Sequence, residues 1–335
     1  MKAMIIRKYG GPEVFEVAEV DKPEPLPGHV VLKVVASSIN PLETKIRSGL
    51  AAAIGPQLPA ILNADVSGEV VAVGEAAGQW KVGEQVFGCT GGVGNLQGAL
   101  AEFMLADANL IAKKPTCIDH YTAALFPLVT ITAWEGIMEK SLAKPGEKLL
   151  IHGAAGGVGH IAVQLAKQQG AIVYGTVLNQ EQADVAKDFG ADHVIFSNTE
   201  SVENYVEKYT DGRGFDAIFD PVGGNNLTNS FKAAKLKGVI CTTNARATLD
   251  IGPMHAKALT LHALLMTVPM LFNIERERHG RILDHISNLI EQGKLRIKRD
   301  KQQFTFEEIT KAHEYLEAGK AIGKISLVNS FNPLS

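Results

Sequence analysis

The feature that most constrains this 335-residue chain is the run Gly153-Ala154-Ala155-Gly156-Gly157-Val158-Gly159. An apolar stretch, 148–152, precedes it. A helical stretch, 157–169, follows, with Val158, Ile161, Leu165 and Ala166 on one face. A glycine-rich turn between a strand and a helix lets the backbone approach a pyrophosphate that side chains would keep away. The helix N-terminus then offers N–H groups and partial positive charge to the phosphates. Ala154, Gly156 and Gly159 match the dinucleotide-binding spacing, with Ala in place of the first glycine. Ala155, Gly156, Gly157 and Val158 are therefore candidate cofactor-binding residues. No Lys-Ser or Lys-Thr follows the glycines, which excludes a nucleoside-triphosphate loop.

Three textures follow one another along the chain. Up to about residue 120, short β-type runs such as 29–36 and 67–74 alternate with Gly and Pro breaks. From about 121 to 262, strands and helices alternate. Strands are expected at 148–152, 171–177, 193–196, 215–220 and 238–243, and helices at 157–169 and 180–189, with Gly170 and Gly190 as their caps. Such alternation implies a parallel, doubly wound α/β sheet with right-handed crossovers. Beyond 278 come helical runs at 281–292 and 306–318 and a last strand at 324–329. An isolated final strand needs a partner. The first region is therefore expected to be discontinuous, 1–121 with 264–335, around an inserted domain at 122–263.

Composition excludes several functions. The net charge of −3 advertises neither nucleic acid nor an anionic membrane as partner. The basic run 294–301 reads as a charged strand or loop edge. The three cysteines, Cys89, Cys117 and Cys241, are too few and too far apart for a disulfide framework or a zinc lobe, which fits a reducing, cytoplasmic setting. The apolar stretch 258–272 contains His262 and Pro269 and is too short to span a bilayer; a buried segment is expected there. The first residues read as a strand rather than a signal peptide.

Cofactor choice is read at the end of the second strand of the inserted domain, where an NAD site carries Asp or Glu. Here the residues are Thr176-Val177-Leu178-Asn179. An acid would repel a 2′-phosphate, so its absence favours NADPH, with NADH possible. Asn179 can hydrogen-bond either form.

A wider set of motifs now bears on the family. Asn40-Pro41-Leu42-Glu43, Arg47-Ser48-Gly49 and Asp65-Val66-Ser67-Gly68-Glu69-Val70 are followed by Val82-Gly83-Glu84-Gln85-Val86 and Thr132-Ala133-Trp134. After the glycine loop come Gly190-Ala191-Asp192 and Gly323-Lys324. In this order they resemble, over essentially the whole length, the zinc-free quinone oxidoreductase type of medium-chain dehydrogenase/reductase. The resemblance implies a GroES-like β-rich catalytic domain joined to a Rossmann domain, an active site in the cleft between them, NADPH binding and a homodimer formed through the Rossmann sheet edge. It also implies that Thr130 faces the nicotinamide amide or ribose and that Lys324 belongs to the cofactor-binding set. Where zinc-dependent relatives place Cys, His and Cys, this chain has Asn40, Ala64 and Leu128, so no metal is expected. Relatives often grip the 2′-phosphate with a Lys and a Tyr; the matching residues here are Gln182 and Ser197.

Without a metal, hydride acceptors that need little activation are favoured: quinones and small α,β-unsaturated carbonyl compounds. Asn40 is the candidate catalytic donor to the developing oxyanion, or alternatively an amide holding the turn before Pro41. Glu43 and Asp65 are expected to orient this loop or Arg47. Thr243 and Asn244 follow the fifth strand of the inserted domain, where ligands bind in such sheets, or else cap the loop. Other readings are an enoyl thioester reductase and an NADPH-binding regulatory or RNA-binding protein with little turnover.

Overall fold

The computed structural model describes residues 1–78, 80–141 and 144–331. The chain forms two compact units, Met1–Leu128 with Thr267–Ser335, and Val129–Met266. The sequence places these divisions at 121/122 and 263/264, somewhat earlier. The helix Pro127–Trp134 runs across the first division, so no loop marks it.

The first unit opens with eight strands: β1 (Lys2–Ile6), β2 (Phe15–Glu19), β3 (His29–Ile39), β4 (Ala60–Ile61), β5 (Asp65–Val73), β6 (Gln85–Cys89), β7 (Phe103–Asp107) and β8 (Ile111–Lys113). The second unit contributes β9 (Lys148–Ile151), β10 (Ile172–Val177), β11 (His193–Phe196), β12 (Phe215–Asp220), β13 (Ala234–Thr242) and β14 (Thr260–Ala263). The chain then returns to the first unit for β15 (Arg299–Thr305) and β16 (Lys324–Val328).

In the first unit, β16 pairs antiparallel with β3, setting Ile325 opposite Ile39. The sheet runs β15-β16-β3-β5-β6-β8, with β7 also on β3. The last strand thus finds its partner in the first region, as the sequence requires. β3 carries β-branched residues through its length and is almost wholly buried. It ends at Ile39. Asn40 then caps the helix Pro41–Arg47 in a reciprocal capping box with Glu43, and Pro41 takes the first turn, where its missing N–H costs nothing.

In the second unit all six strands are parallel in the order β11-β10-β9-β12-β13-β14. Leu150, Tyr174, Ile218, Ile240, Phe215 and Phe231 build its core. Gly170 and Gly190 adopt positive φ after their helices, as expected of caps. This is the doubly wound α/β arrangement expected, with three differences. A sixth strand, β14, lies inside the stretch read as a buried segment. Because an edge strand is covered on one side only, Thr260 and Ala263 are exposed; Phe272, at the end of the helix Val268–Phe272, is 68% exposed. Helix Arg276–Glu291 starts five residues before 281, because Glu275 in the left-handed region sets its first turn. The expected run 306–318 begins as a short 3-10 turn, Phe306–Glu308, capped by Thr305, before the helix Ile309–Glu317. No helix among the described residues is long and apolar enough to cross a membrane.

Gly68 sits between Val34 of β3 and Val86 of β6, beside a register shift in the β3–β5 pairing. A Cβ here would lie 2.3 Å from the Lys33 carbonyl oxygen. Gly68→Ala is expected to cost about 2 kcal/mol through backbone displacement; urea unfolding of the variant beside the parent measures it.

Candidate active site

In the second unit the strand order reverses at β9, which has β10 on one side and β12 on the other. Ligands bind at such a switch point, beyond the carboxyl ends of the strands. The 153–159 turn stands there. Gly153 has φ +63. Its N–H donates to Thr176 Oγ1 at 3.0 Å, while the Ala154 N–H donates to the Thr176 carbonyl at 3.0 Å. The left-handed turn therefore falls one residue before the position where Ala154 replaces glycine. Ala154 itself is buried against Gly175, whose added Cβ would meet the Ala154 methyl at 2.6 Å. At the start of the helix Gly159–Gln168, a Cβ on Gly159 would lie 2.1 Å from the Gly153 carbonyl oxygen. Ala155 is buried, Gly156 exposed, and Gly157 and Val158 half-buried. The helical ladder begins with His160 N–H donating to Gly156, so the amides just ahead of it lie at the helix N-terminus, where a pyrophosphate is stabilised.

Asn179 and Gln182 cap the helix Gln180–Asp188 reciprocally: Asn179 Oδ1 accepts from Gln182 N–H at 3.0 Å, and Gln182 Oε1 accepts from Leu178 N–H at 2.9 Å. Ser197 donates to the Val177 carbonyl at 3.3 Å. Thr243 and Asn244 donate to the carbonyls of Pro221 and Val222 at 3.4 and 3.1 Å, which fastens the loop after β12. That loop has an anchor the sequence reading missed, Asp220. It is fully buried and accepts from Gly223 N–H (2.8 Å), Asn226 Nδ2 (3.1 Å) and Ser230 Oγ (2.8 Å). His152 was also missed. Its Nδ1 lies 3.3 Å from Thr176 Oγ1, and burial pushes its pKa down while the Asp220 charge opposes the shift. Both residues sit at the ends of stretches that read only as strands, so only their place beside the turn reveals them. Thr130 is buried in the helix Pro127–Trp134.

The first unit holds a second polar constellation. Asn40, Glu43, Asp65 and Lys324 are 2%, 1%, 0% and 3% exposed. Asn40 Nδ2 donates to Asp65 Oδ2 at 2.9 Å and to Glu43 Oε1 at 3.3 Å, while its Oδ1 accepts from the Lys324 ammonium. Lys324 also donates to the Ile39 carbonyl at 3.1 Å and to Asp65 Oδ2 at 3.4 Å. Ser38 Oγ reaches Asp65 Oδ2 at 2.6 Å. The backbone N–H of Leu128 donates to Asp65 Oδ1 at 2.8 Å, and that of Ala64 to Glu43 Oε1 at 3.2 Å. Asn40, expected as a donor to an oxyanion or as an amide holding the turn before Pro41, here gives its Nδ2 hydrogens to two carboxylates beside that turn. The Lys324 ammonium, expected in the cofactor-binding set, lies in this cluster. Of the two roles expected of Glu43 and Asp65, orienting this loop or Arg47, the structure shows bonds to the loop, and Arg47 pairs with Glu317.

Comparison with known proteins bears on this geometry. Residues 26–116 match the alcohol dehydrogenase GroES-like domain, and residues 189–327 a zinc-binding dehydrogenase domain. Human quinone oxidoreductase is 30% identical over 333 residues, 98% of each chain. The chain belongs to the quinone oxidoreductase type of the medium-chain dehydrogenase/reductase family. Solved structures agree. An alcohol dehydrogenase superfamily protein from Novosphingobium aromaticivorans superposes with a TM-score of 0.92 at 35% identity, covering 98% of this chain and 99% of the other. The quinone oxidoreductase of Escherichia coli, solved in complex with NADPH, superposes with a TM-score of 0.89 at 27% identity, covering 98% and 100%. This family member is an oxidoreductase.

Zinc, which one matching domain model implies, does not fit the residues present. Ala64 and Leu128 bring no ligand atom, Asn40 is spent on its neighbours, and the Lys324 ammonium would repel a cation. Among the described residues, no group of three or more His, Cys, Asp or Glu is placed to hold a metal ion.

Burial, with the neighbouring Asp65 charge, raises Glu43 from 4.5 to about 7, while Lys324 opposes the rise. Between these values the folded protein binds a proton that the unfolded chain releases. The resulting stability is fully present below 4.5 and lost as pH rises through 7. Glu43→Gln, which does not titrate, is expected to gain up to about 3 kcal/mol relative to the parent between pH 5 and 8. Denaturation at both pH values measures it.

Proposed function

We propose that the protein reduces quinones and small α,β-unsaturated carbonyl compounds with NADPH and without zinc. The observation that carries this reading is the closure of positions 40, 64 and 128 by a hydrogen-bonded cluster in a chain that keeps the dinucleotide turn at 153–159. Bound reduced nicotinamide supplies a hydride. In this reading the amides at the start of the helix Gly159–Gln168 hold the pyrophosphate, and Gly153, Gly159 and Gly175 keep the turn close enough to the sheet for that contact. The loop fastened by Asp220, Thr243 and Asn244 borders the same strand ends.

Among the described residues no group is placed to hold a metal ion, and this narrows the acceptor. An alcohol is not readily ionised, and a plain ketone is poorly polarised, by the groups available. A quinone or enone takes hydride into a conjugated system, and the charge that arrives on oxygen is met by a proton from solvent. Asn40 acts indirectly, by fixing the turn from β3 into the helix Pro41–Arg47.

NADPH is assigned over NADH because no acid stands at Asn179, where it would repel a 2′-phosphate. The Asn179, Gln182 and Ser197 side chains bond to nearby backbone and bring no fixed positive charge. Discrimination is therefore expected to be modest. The test is oxidation of NADPH and NADH with para-benzoquinone, phenanthrenequinone, a short enal and a crotonyl thioester, with and without chelator. Chelator-resistant turnover on the quinones or the enal is expected. Tight NADPH binding with no turnover on any acceptor overturns the reading, and turnover on the thioester alone replaces it with an enoyl thioester reductase. Gln182→Lys is expected to raise the NADPH-to-NADH ratio of kcat/KM about tenfold, the worth of one charge-assisted hydrogen bond.

A further inference from the structure

The buried constellation of the first unit contains more charge than capping a short helix requires. Any polar acceptor could satisfy the Leu128 and Ala64 amides, and Asn40 with Glu43 already completes a capping box. Yet a lysine and an aspartate are both taken out of water beside them, Lys324 at 3% exposure and Asp65 at 0%. An ion pair at such depth contributes little net stability compared with apolar residues of the same size. It survives where it fixes something.

What it fixes can be traced bond by bond. A carboxamide can turn end over end, exchanging donor and acceptor faces. The ammonium of Lys324 against Asn40 Oδ1 forbids that turn, and Asp65 and Glu43 complete the lock by accepting both hydrogens of Nδ2. The same ammonium holds the Ile39 carbonyl, the last of β3 before the turn. Through Asp65 the lock reaches the N–H of Leu128, in the first turn of the helix Pro127–Trp134. One charge on the last strand thus ties down the start of two helices, at the three positions where the zinc ligand set fails. Ser38 and Cys89 complete the surroundings. Ser38 donates to Asp65, and burial together with the Asp65 and Glu43 charges keeps the Cys89 thiol protonated.

We propose that Lys324 is a positioning residue of the reduction site, its ammonium serving as the built-in counter-charge that orients Asn40, Asp65 and the two helix starts they hold. This rests on the reductase reading above. It assigns Lys324 to the acceptor side of the reaction and not to the nucleotide.

Lys324→Met, Lys324→Arg and the charge-cancelling pair Lys324→Met with Asp65→Asn are compared with the parent in three measurements: steady-state kinetics on the best quinone, NADPH affinity by fluorescence, and hydrogen exchange over residues 36–47. Lys324→Met is expected to lower kcat about tenfold or more while the NADPH Kd moves less than about twofold. Exchange over 36–47 should quicken. Lys324→Arg should recover part of kcat, and the charge-cancelled pair should recover more than the single variant while restoring slow exchange. If Lys324→Met does not yield folded protein, Lys324→Arg and the charge-cancelled pair carry the same comparison. The proposal falls if NADPH affinity drops with kcat intact, if kcat and exchange are both unchanged, or if the charge-cancelled pair is no better than the single variant. Should the parent turn over no acceptor, the reductase reading fails by itself, and the exchange measurement still decides whether Lys324 holds the turn.

Discussion

A lysine buried among two carboxylates, a carboxamide and a backbone carbonyl is the interaction on which the first unit depends. Desolvating an ammonium costs several kcal/mol, and only complete hydrogen bonding offsets it. Lys324 reaches that condition because β16 lies antiparallel on β3, which puts Lys324 beside Ile39 and the turn that follows. The chain's return to its first domain and the geometry of the Asn40 turn are thus one event. If β16 did not dock, Asp65 and Glu43 would face each other without a counter-charge. Burial first, and the Asp65 charge second, raise Glu43 even with Lys324 beside them.

The second unit is governed by contact distance rather than charge. At Gly159 and Gly175 a single methyl would strike neighbouring atoms, and at Gly153 the backbone takes a conformation side chains resist. These constraints press the turn against the ends of β9 and β10. Asp220 does comparable work on the next strand, where its two oxygens gather three donors from the loop and helix that follow. In both places contacts within the chain hold the backbone still.

Much of this was legible in the residues. The glycine spacing, the alternation of strand and helix and the isolated last strand were enough for the doubly wound sheet and for the discontinuous course of the chain. β14 was not, because an edge strand covered on one face lacks the unbroken apolar pattern of its neighbours, and Thr260 and His262 disguise it. Helix starts were also misplaced where a left-handed residue, Glu275, began the turn without a recognisable capping side chain.

The sequence by itself determined the fold class, which follows from residue type and order; that Asn40, Ala64 and Leu128 stand where relatives place zinc ligands is what the family resemblance implies. Only the tertiary structure decided what Asn40 and Lys324 bond to. Read one at a time, Asn40 is a donor and Lys324 a cation, and each is plausible against a ligand. Brought within hydrogen-bonding distance of each other and of Asp65, residues 25 to 284 positions apart satisfy one another instead. Partnership of that kind depends on which strand lies beside which, a property of the packed chain that no local run of residues carries.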